Sequence, residues 1–213
     1  MTTLRVTEIF RSLQGESRTV GWPTVFVRLT GCPLRCVWCD TAYAFSGGIR
    51  KSLEDILAEV AGFAPRRVCV TGGEPLAQPA CLALLEALVV AGYEVSLETS
   101  GAIDVSGVPP QVVKVMDLKP PGSGEMAANR YENLDFLRPL DQLKFVIRDE
   151  QDYLWSRELV REKGLAERCE VLFSPVAGEM EPAELAERIL RDHLEVRFQL
   201  QLHKLLWGDR SGV

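Results

Sequence analysis

Apolar segments rich in β-branched residues alternate along this chain with segments of helical periodicity, and this alternation limits the folds that it can adopt. The predicted strands cover residues 24–30, 67–71, 93–98, 112–117, 142–147, 170–173 and 196–203. Four helices are predicted. The first begins at a capping box on Ser52, the second covers 82–91, the third covers 152–163 and the fourth begins near Pro182. Such alternation predicts a parallel sheet with right-handed crossovers, whose functional groups lie at the carboxyl ends of the strands.

The length of 213 residues limits the number of strand–helix units in this fold. A closed eightfold barrel usually takes roughly 250 residues, so roughly six strand–helix units fit this chain better. Connections such as 101–111 are too short for a full helix. We therefore predict an α/β fold with one domain over residues 1–213, a partial (β/α)6 TIM-like barrel trimmed to fewer helices than strands.

Three cysteines follow the first predicted barrel strand directly, with the spacing C-x3-C-x2-C at Cys32, Cys36 and Cys39. Structural zinc is closed by four ligands, and an iron–sulfur cube is normally held by four thiolates. A cube on three cysteines keeps one iron open, and an open metal position can bind and activate a small molecule. Two alternatives remain: a non-enzymatic zinc module completed by His193 or His203, and three buried thiols without a metal.

Two further strand ends carry polar groups. Gly72 and Gly73 allow close approach of the backbone to a ligand, and the carboxylate of Glu74 can accept hydrogen bonds from an ammonium group. A plain turn is the alternative. Asp117 and Lys119 share one face of the fourth predicted strand, where they can anchor a ribose hydroxyl and a carboxylate, or form a solvated ion pair.

Three weaker features point to a second ligand. Arg28 lies on the opposite face of its strand from the apolar residues and can clamp a carboxylate, or it can cap backbone carbonyls. Residues 9–17 offer amide and carboxylate groups that can read the edge of a flat heterocycle, or they form an ordinary polar turn. The predicted strand over 196–203 has one polar face that ends at His203, and such faces are often only solvated.

Composition limits the possible partners. The net charge of −6, with no basic cluster, argues against a nucleic-acid partner. The longest apolar stretch, 80–92, contains Glu86 and is too short to cross a bilayer, and no apolar signal core opens the chain. We expect a cytoplasmic protein without a membrane partner, in which Cys69, Cys81 and Cys169 are small core residues rather than disulfide partners.

The cysteine motif, with Trp38 before its last cysteine, and the sequence TGGEP resemble the signature of the radical S-adenosylmethionine (SAM) enzymes. Four further pieces, SLQGE, VRLTGCPLRCVWCDT, the ET-x-G turn and QLHKLLWG, narrow the resemblance to the 7-carboxy-7-deazaguanine synthase family of queuosine and 7-deazapurine biosynthesis. The matching pieces run from residue 12 to residue 208 and so cover nearly the whole chain.

This resemblance implies a partial barrel of the radical SAM type and a specific reaction. A [4Fe-4S] cluster on the three cysteines supports the cleavage of SAM to a 5′-deoxyadenosyl radical, which takes a hydrogen from C6 of 6-carboxy-5,6,7,8-tetrahydropterin. Ring contraction and loss of ammonia then give 7-carboxy-7-deazaguanine, with SAM regenerated, so the enzyme is a carbon–nitrogen lyase. The resemblance also implies Mg²⁺, a flavodoxin or ferredoxin as reductant, and a homodimer.

The family's site residues map onto this sequence one by one. The residues expected to bind SAM are Trp38, Asp40, Gly72, Gly73, Glu74, Glu98, Asp117 and Lys119. Those expected to bind the substrate are Leu13, Gln14, Gly15, Arg28, Thr71, His203 and Val213, and Thr41 is expected to bind Mg²⁺.

The chain departs from the family pattern in the half that is expected to bind SAM. It has Asp-Leu-Lys at 117–119 where the family usually has Ser-Pro-Lys, and Ser-Pro-Val-Ala at 174–177 where the family has Gln-Pro-x-Asp. A glycyl-radical activating enzyme shares the cysteine spacing, the GGEP turn and the small size. Its substrate is a protein loop, however, and it has no use for the SLQGE segment.

Overall fold

The computed structural model describes residues 2–208, 210 and 212. Within this part of the chain, nine strands form one open sheet in the order β3-β1-β2-β4-β5-β6-β7-β8-β9. The strands are β1 Thr3–Leu13, β2 Pro23–Leu29, β3 Ile49–Ser52, β4 Arg67–Gly72, β5 Glu94–Thr99, β6 Val113–Asp117, β7 Gln142–Ile147, β8 Glu170–Pro175 and β9 Arg197–Phe198. The predicted partial barrel is confirmed as an open sheet.

Seven of these strands, β2 and β4 to β9, run parallel to one another, while β1 pairs antiparallel with both β2 and β3. The parallel strands β2, β4, β6, β7 and β8 are nearly continuous runs of buried residues, as expected when helices or loops cover a sheet, whereas buried residues alternate along β5 and β9 is half-buried. Their carboxyl ends meet at one edge, and the loops that follow them carry the predicted site residues.

The α-helices of the described residues are fewer than the strands, as predicted. They are α1 Leu53–Gly62, α2 Cys81–Val90, α3 Glu150–Glu162, α4 Leu165–Arg168, α5 Pro182–Arg191 and α6 Leu202–Trp207. The predicted capping box on Ser52 is present, since its side chain accepts from the Asp55 amide and the Asp55 side chain accepts from the Ser52 amide. The connections 100–112 and 118–141 contain only 3-10 turns or irregular chain.

The hydrophobic core lies between the sheet and its helices. Leu84 and Leu88 of α2 and Tyr153 of α3 are fully buried against it. Phe145 and Phe173 meet edge to face with their ring centroids 5.4 Å apart. The three cysteines outside the motif are buried core residues with free thiols, as predicted: Cys69, Cys81 and Cys169.

The prediction of a strand over 196–203 is wrong. Only Arg197–Phe198 pairs with β8, and α6 begins at Leu202. The Gln199 amide still donates to the Phe173 carbonyl of β8 at 3.0 Å, but its side chain ties this segment to the N-terminal loop. That side chain accepts from the Ser17 amide at 2.7 Å and donates to the Ser17 carbonyl at 2.9 Å. No described helix is long and apolar enough to cross a membrane.

Candidate functional site

A cavity of about 550 Å³ lies at the carboxyl edge of the sheet, within the size range of small-molecule sites. It brings most of the predicted site residues together. Those that line it are Leu13, Gln14, Gly15, Arg28, Cys32, Cys36, Trp38, Cys39, Asp40, Thr41, Thr71, Gly72, Gly73, Glu98, Asp117, Lys119 and His203. Glu74 does not line it, and Val213 lies outside the described residues.

The cysteine loop is fixed on one side by the Gly-Gly turn at the end of β4. The Gly73 amide donates to the Leu29 carbonyl at 3.2 Å, and the Glu74 amide donates to the Gly31 carbonyl at 2.8 Å. A β-carbon on Gly73 would lie 2.4 Å from the Gly31 oxygen and 2.7 Å from the β-carbon of Cys32. Only glycine therefore permits the two loops to approach this closely.

On its other side, the cysteine loop rests on the turn that follows β6. The Val37 amide donates to the Ser123 carbonyl at 3.0 Å. That turn is held in place by Asp152 of α3, whose carboxylate accepts from the Gly122 amide at 2.7 Å. Arg35 closes the loop on itself, since its guanidinium donates to the Cys32 carbonyl at 2.8 Å.

The three cysteines of the motif lie on one loop at the cavity, and His203 lines the same cavity. Among the described residues, no three His, Cys, Asp or Glu side chains converge as single-ion ligands, and His193 does not line the cavity. A cube takes one ligand per iron, so thiols spread along one loop suit it. Burial raises the pKa of the Cys36 thiol, which Lys119 counteracts, and burial likewise raises the pKa of Cys32.

Glu74 stabilises the loops that follow β4 and β5 at the cavity. It is fully buried, and its carboxylate accepts from the Leu76 amide at 2.9 Å, the Ser100 amide at 2.7 Å and the Thr99 hydroxyl at 2.9 Å. These bonds join the ends of β4 and β5. The structure thus gives this carboxylate a supporting position in place of the expected contact with a ligand ammonium, because its lone pairs are already engaged inside the protein.

A row of charges crosses the cavity floor from Lys119 to Glu16. Lys119 Nζ lies 3.0 Å from Asp117 Oδ2, Lys144 Nζ lies 3.5 Å from the same oxygen, and Lys144 also donates to Glu16. Burial works to raise the pKa of Asp117, but the two ammonium groups lower it below its ordinary value. The ion pair between Asp117 and Lys119 is thus largely shielded from solvent. Asp117 Oδ1 is buried without a hydrogen-bond partner in the described residues.

Sequence reasoning missed Lys144. It lies in the apolar run of β7 and is the register partner of Asp117 on the neighbouring strand. A lysine inside an otherwise apolar parallel strand was the available signal, because such a charge is rarely buried without a partner.

Glu98, expected to bind SAM, lies among residues expected to bind the substrate. Its carboxylate accepts from Gln14 Nε2 at 3.2 Å and from the Thr71 hydroxyl at 2.9 Å. Gln14 and Thr71 thereby hold an anionic acceptor at the cavity wall.

Arg28 lies half-buried near the end of β2, where its Nε donates to Glu8 at 2.7 Å. Its guanidinium carbon lies 5.6 Å from the ring centroid of Phe10 and 5.8 Å from that of Tyr43. Within the described part of the chain, the side-chain bond of Arg28 goes to the Glu8 carboxylate and none goes to a backbone carbonyl. Glu8 and Tyr43 were also missed by sequence reasoning, since neither belongs to a recognised motif.

Helix α6 covers the cavity with its first turn. His203 Nε2 lies 3.8 Å from Asp40 Oδ2, and the Thr41 hydroxyl donates to Asp40 Oδ1 at 2.7 Å. Burial works to raise the pKa of Asp40, while the nearby imidazole of His203 and the hydrogen bond from the Thr41 hydroxyl lower it well below its usual range. Gly15 lies against His203, so a side chain at this position would displace the imidazole.

A parallel sheet with a three-cysteine loop after its first parallel strand defines a radical SAM protein, and comparison with known proteins agrees. The family model described as Radical SAM superfamily matches residues 26–117. The 7-carboxy-7-deazaguanine synthase of Koribacter versatilis is 46% identical over 99% of this chain and 100% of its own length. The enzyme of the same name from Chlorobaculum tepidum is 44% identical over 99% of this chain and 97% of its own length.

Among solved structures, the crystal structure of QueE from Escherichia coli has the same fold. Its TM-score is 0.76 at 23% identity, covering 94% of this chain and 95% of that one. The chain belongs to the 7-carboxy-7-deazaguanine synthase family of radical SAM enzymes. Membership of this superfamily implies a [4Fe-4S] cluster and SAM as cofactors.

Proposed function

We propose that this protein converts 6-carboxy-5,6,7,8-tetrahydropterin to 7-carboxy-7-deazaguanine with loss of ammonia, as a radical SAM carbon–nitrogen lyase. One observation carries the proposal: the cysteine motif and nearly all of the residues expected to bind the pterin line one cavity. The full-length similarity to synthases of that name supports the same reaction.

The cluster-binding and SAM-binding residues occupy the side of the cavity nearest the cysteine loop. Cys32, Cys36 and Cys39 would hold the cluster, which together with SAM would supply the radical chemistry for removing a hydrogen atom from C6 of the pterin. The unpartnered Asp117 Oδ1 is a ready acceptor for a ribose hydroxyl, and Lys119 fixes that carboxylate.

The remaining SAM contacts are shared between backbone and side chains. Gly72 and Gly73 let the backbone approach the methionyl group, while Trp38 and Asp40 line the same cavity. Glu74 holds the turn that presents this backbone.

The pterin lies toward β1 and β5. Its amino-pyrimidine edge donates to the Glu98 carboxylate, which Gln14 and Thr71 hold in place. Leu13 and Gly15 border the ring, and His203 closes the cavity above it. The contact expected from Val213 stays a prediction.

Arg28 would bind the substrate carboxylate, and Thr41 would hold a Mg²⁺ ion that helps to neutralise the charge of that carboxylate. Mg²⁺ prefers oxygen ligands, and the Thr41 hydroxyl offers one at the cavity wall. One neutral hydroxyl is a poor ligand by itself, so the substrate carboxylate supplies most of the binding. The ion is therefore expected to bind weakly without substrate.

The partners follow from the chemistry. A flavodoxin or ferredoxin supplies the electron, and reducing conditions in the cytoplasm keep the three core cysteines, Cys69, Cys81 and Cys169, as free thiols. A homodimer is supported by β3, which ends the sheet and leaves Ile49 exposed by 69%.

Anaerobic turnover tests the proposed function. Reconstituted protein is supplied with SAM, a chemical reductant and the carboxypterin, and the products are followed by mass spectrometry. We expect 7-carboxy-7-deazaguanine and ammonia without any protein partner. Reductive cleavage of SAM with no pterin conversion, together with radical formation on an added glycyl-radical enzyme, would favour the activating-enzyme alternative instead.

A further inference from the structure

We propose that Glu8, assisted by Tyr43, is a positioning residue that orients Arg28 toward the carboxylate of the substrate. Neither residue is among those that the family resemblance assigns to a ligand. The inference rests on the proposed function, in which Arg28 binds that carboxylate.

The sheet itself brings Glu8 to Arg28. The two residues are register partners on antiparallel strands β1 and β2, and the register shifts between Val6 and Glu8. Such a bulge re-aims the side chains that follow it and is common next to functional sites. Here the outcome is a hydrogen bond of 2.7 Å between Arg28 Nε and Glu8 Oε1.

This contact uses only one edge of the guanidinium. Arginine carries five N–H donors in a planar fork, so a bond through Nε leaves the Nη edge to grip a second carboxylate bidentately. The side chains of Arg28 and Glu8 are only 15% and 23% exposed, which keeps them from the freedom of a surface pair. Phe10 and Tyr43 lie near the guanidinium and restrict its plane.

Tyr43 holds the Glu8 carboxylate in place, and this carboxylate in turn holds Arg28. Its hydroxyl donates to Glu8 Oε1 at 2.8 Å, the oxygen that accepts from Arg28. Part of the Glu8 charge is thereby taken up before a substrate carboxylate arrives.

The test compares Glu8→Ala with Glu8→Gln, with Glu59→Ala as the control for losing a glutamate at a surface pair with Lys51. Calorimetry measures binding of 6-carboxy-5,6,7,8-tetrahydropterin and of carboxylate-free tetrahydropterin to the anaerobic holoenzyme with SAM. We expect Glu8→Ala to weaken binding of the carboxypterin about tenfold and to leave the carboxylate-free pterin and SAM unchanged. Glu8→Gln should bind like wild type, because its amide oxygen still accepts from Nε.

Three results would overturn the inference: unchanged carboxypterin binding in Glu8→Ala, equal losses for both pterins, or Glu8→Gln as weak as Glu8→Ala. An equal loss would reveal a purely structural role, which a lowered melting temperature would accompany. Wild-type protein that fails to turn over the carboxypterin would contradict the proposed function itself. If wild-type protein turns over the carboxypterin but Glu8→Ala still prefers the carboxypterin over the carboxylate-free pterin as strongly as wild type does, only the role of Glu8 is contradicted.

Discussion

Lys144 Nζ lies 3.5 Å from Asp117 Oδ2 and also donates to Glu16, so one ammonium group joins carboxylates from the two halves of the cavity. Asp117 belongs to the half proposed to bind SAM, and Glu16 follows the residues proposed to border the pterin. The three side chains are between 10% and 17% exposed. Their charges are thus largely removed from water and depend on one another.

Replacing Lys144 by methionine should destabilise the fold strongly. Removing one member of a buried ion pair typically costs about 3–5 kcal/mol, because the remaining charges are left without compensation. Lys51→Met, at a surface pair with Glu59, should cost less than about 1 kcal/mol. Urea unfolding measures both. Adding Glu16→Gln to Lys144→Met should recover part of the loss, whereas equal losses for the two lysine variants would refute the charge row.

Gly73→Ala should prevent assembly of the cluster. The new β-carbon would meet the Gly31 oxygen at 2.4 Å and the Cys32 β-carbon at 2.7 Å, so the cysteine loop must move. Gly62→Ala is the matched control, since nothing lies within 4 Å of a β-carbon there. Iron content after anaerobic reconstitution should fall in the first variant and stay at the wild-type level in the second. A full iron content in Gly73→Ala would contradict the close packing described above.

Thr41→Ala should spare the cluster and raise the Mg²⁺ concentration needed for half-maximal turnover. The hydroxyl that the proposed ion needs is then missing, while the cysteines are untouched. Thr41→Ser keeps a hydroxyl and should behave like wild type. Turnover is measured across a Mg²⁺ titration after chelation. An unchanged Mg²⁺ dependence in Thr41→Ala would show that the ion does not lie on this residue.

Asp141 should make stability depend on acid pH. Burial works to raise its pKa, but hydrogen bonds from Arg138 and Lys114 lower it below its ordinary value. A carboxyl group with a lowered pKa contributes stability above its unfolded pKa of about 3.9, and this contribution is lost as the pH falls through the folded value. The difference in stability between wild type and Asp141→Asn should therefore be large at pH 7 and should shrink progressively as the pH falls below about 4.

The exposed Asp135, which pairs with Arg168 at the surface, supplies the control for this pH dependence. Asp135→Asn should be nearly as stable as wild type across the same pH range. Chemical unfolding at a series of pH values compares the three proteins. A gap for Asp141→Asn that stays constant on acidification would show that the native state does not favour the Asp141 carboxylate.

The sequence predicts the parallel part of the fold well, because β4, β7 and their neighbours are buried runs whose composition reflects their surroundings. It also predicts the edge at which the site lies, since the cysteine loop and the Gly-Gly turn each follow such a strand. Contacts between distant elements are a different matter. Glu8 meets Arg28 through a bulge, and Lys144 meets Asp117 through strand register. No local sequence pattern identifies the partner in either pair.

The C-terminal error has a similar cause. Residues 196–203 alternate polar and apolar side chains as a half-exposed strand does, but two of the polar ones, Gln199 and Gln201, bond to the N-terminal loop. Gln199 pairs with the backbone of Ser17, and Gln201 Nε2 donates to Glu16 at 2.6 Å. A periodic pattern shows which side chains share a face, but not which distant segment that face meets.

The central claim is that three cysteines of one loop hold a [4Fe-4S] cluster with an open iron. Iron and sulfide analysis, with EPR of the reduced protein before and after addition of SAM, tests it most directly. We predict about four irons per chain and a cluster signal that SAM alters. Both should be lost in Cys36→Ala and kept in Cys81→Ala, whose cysteine is buried in the core. A colourless protein that carries zinc, or a cluster that survives Cys36→Ala, would contradict the claim.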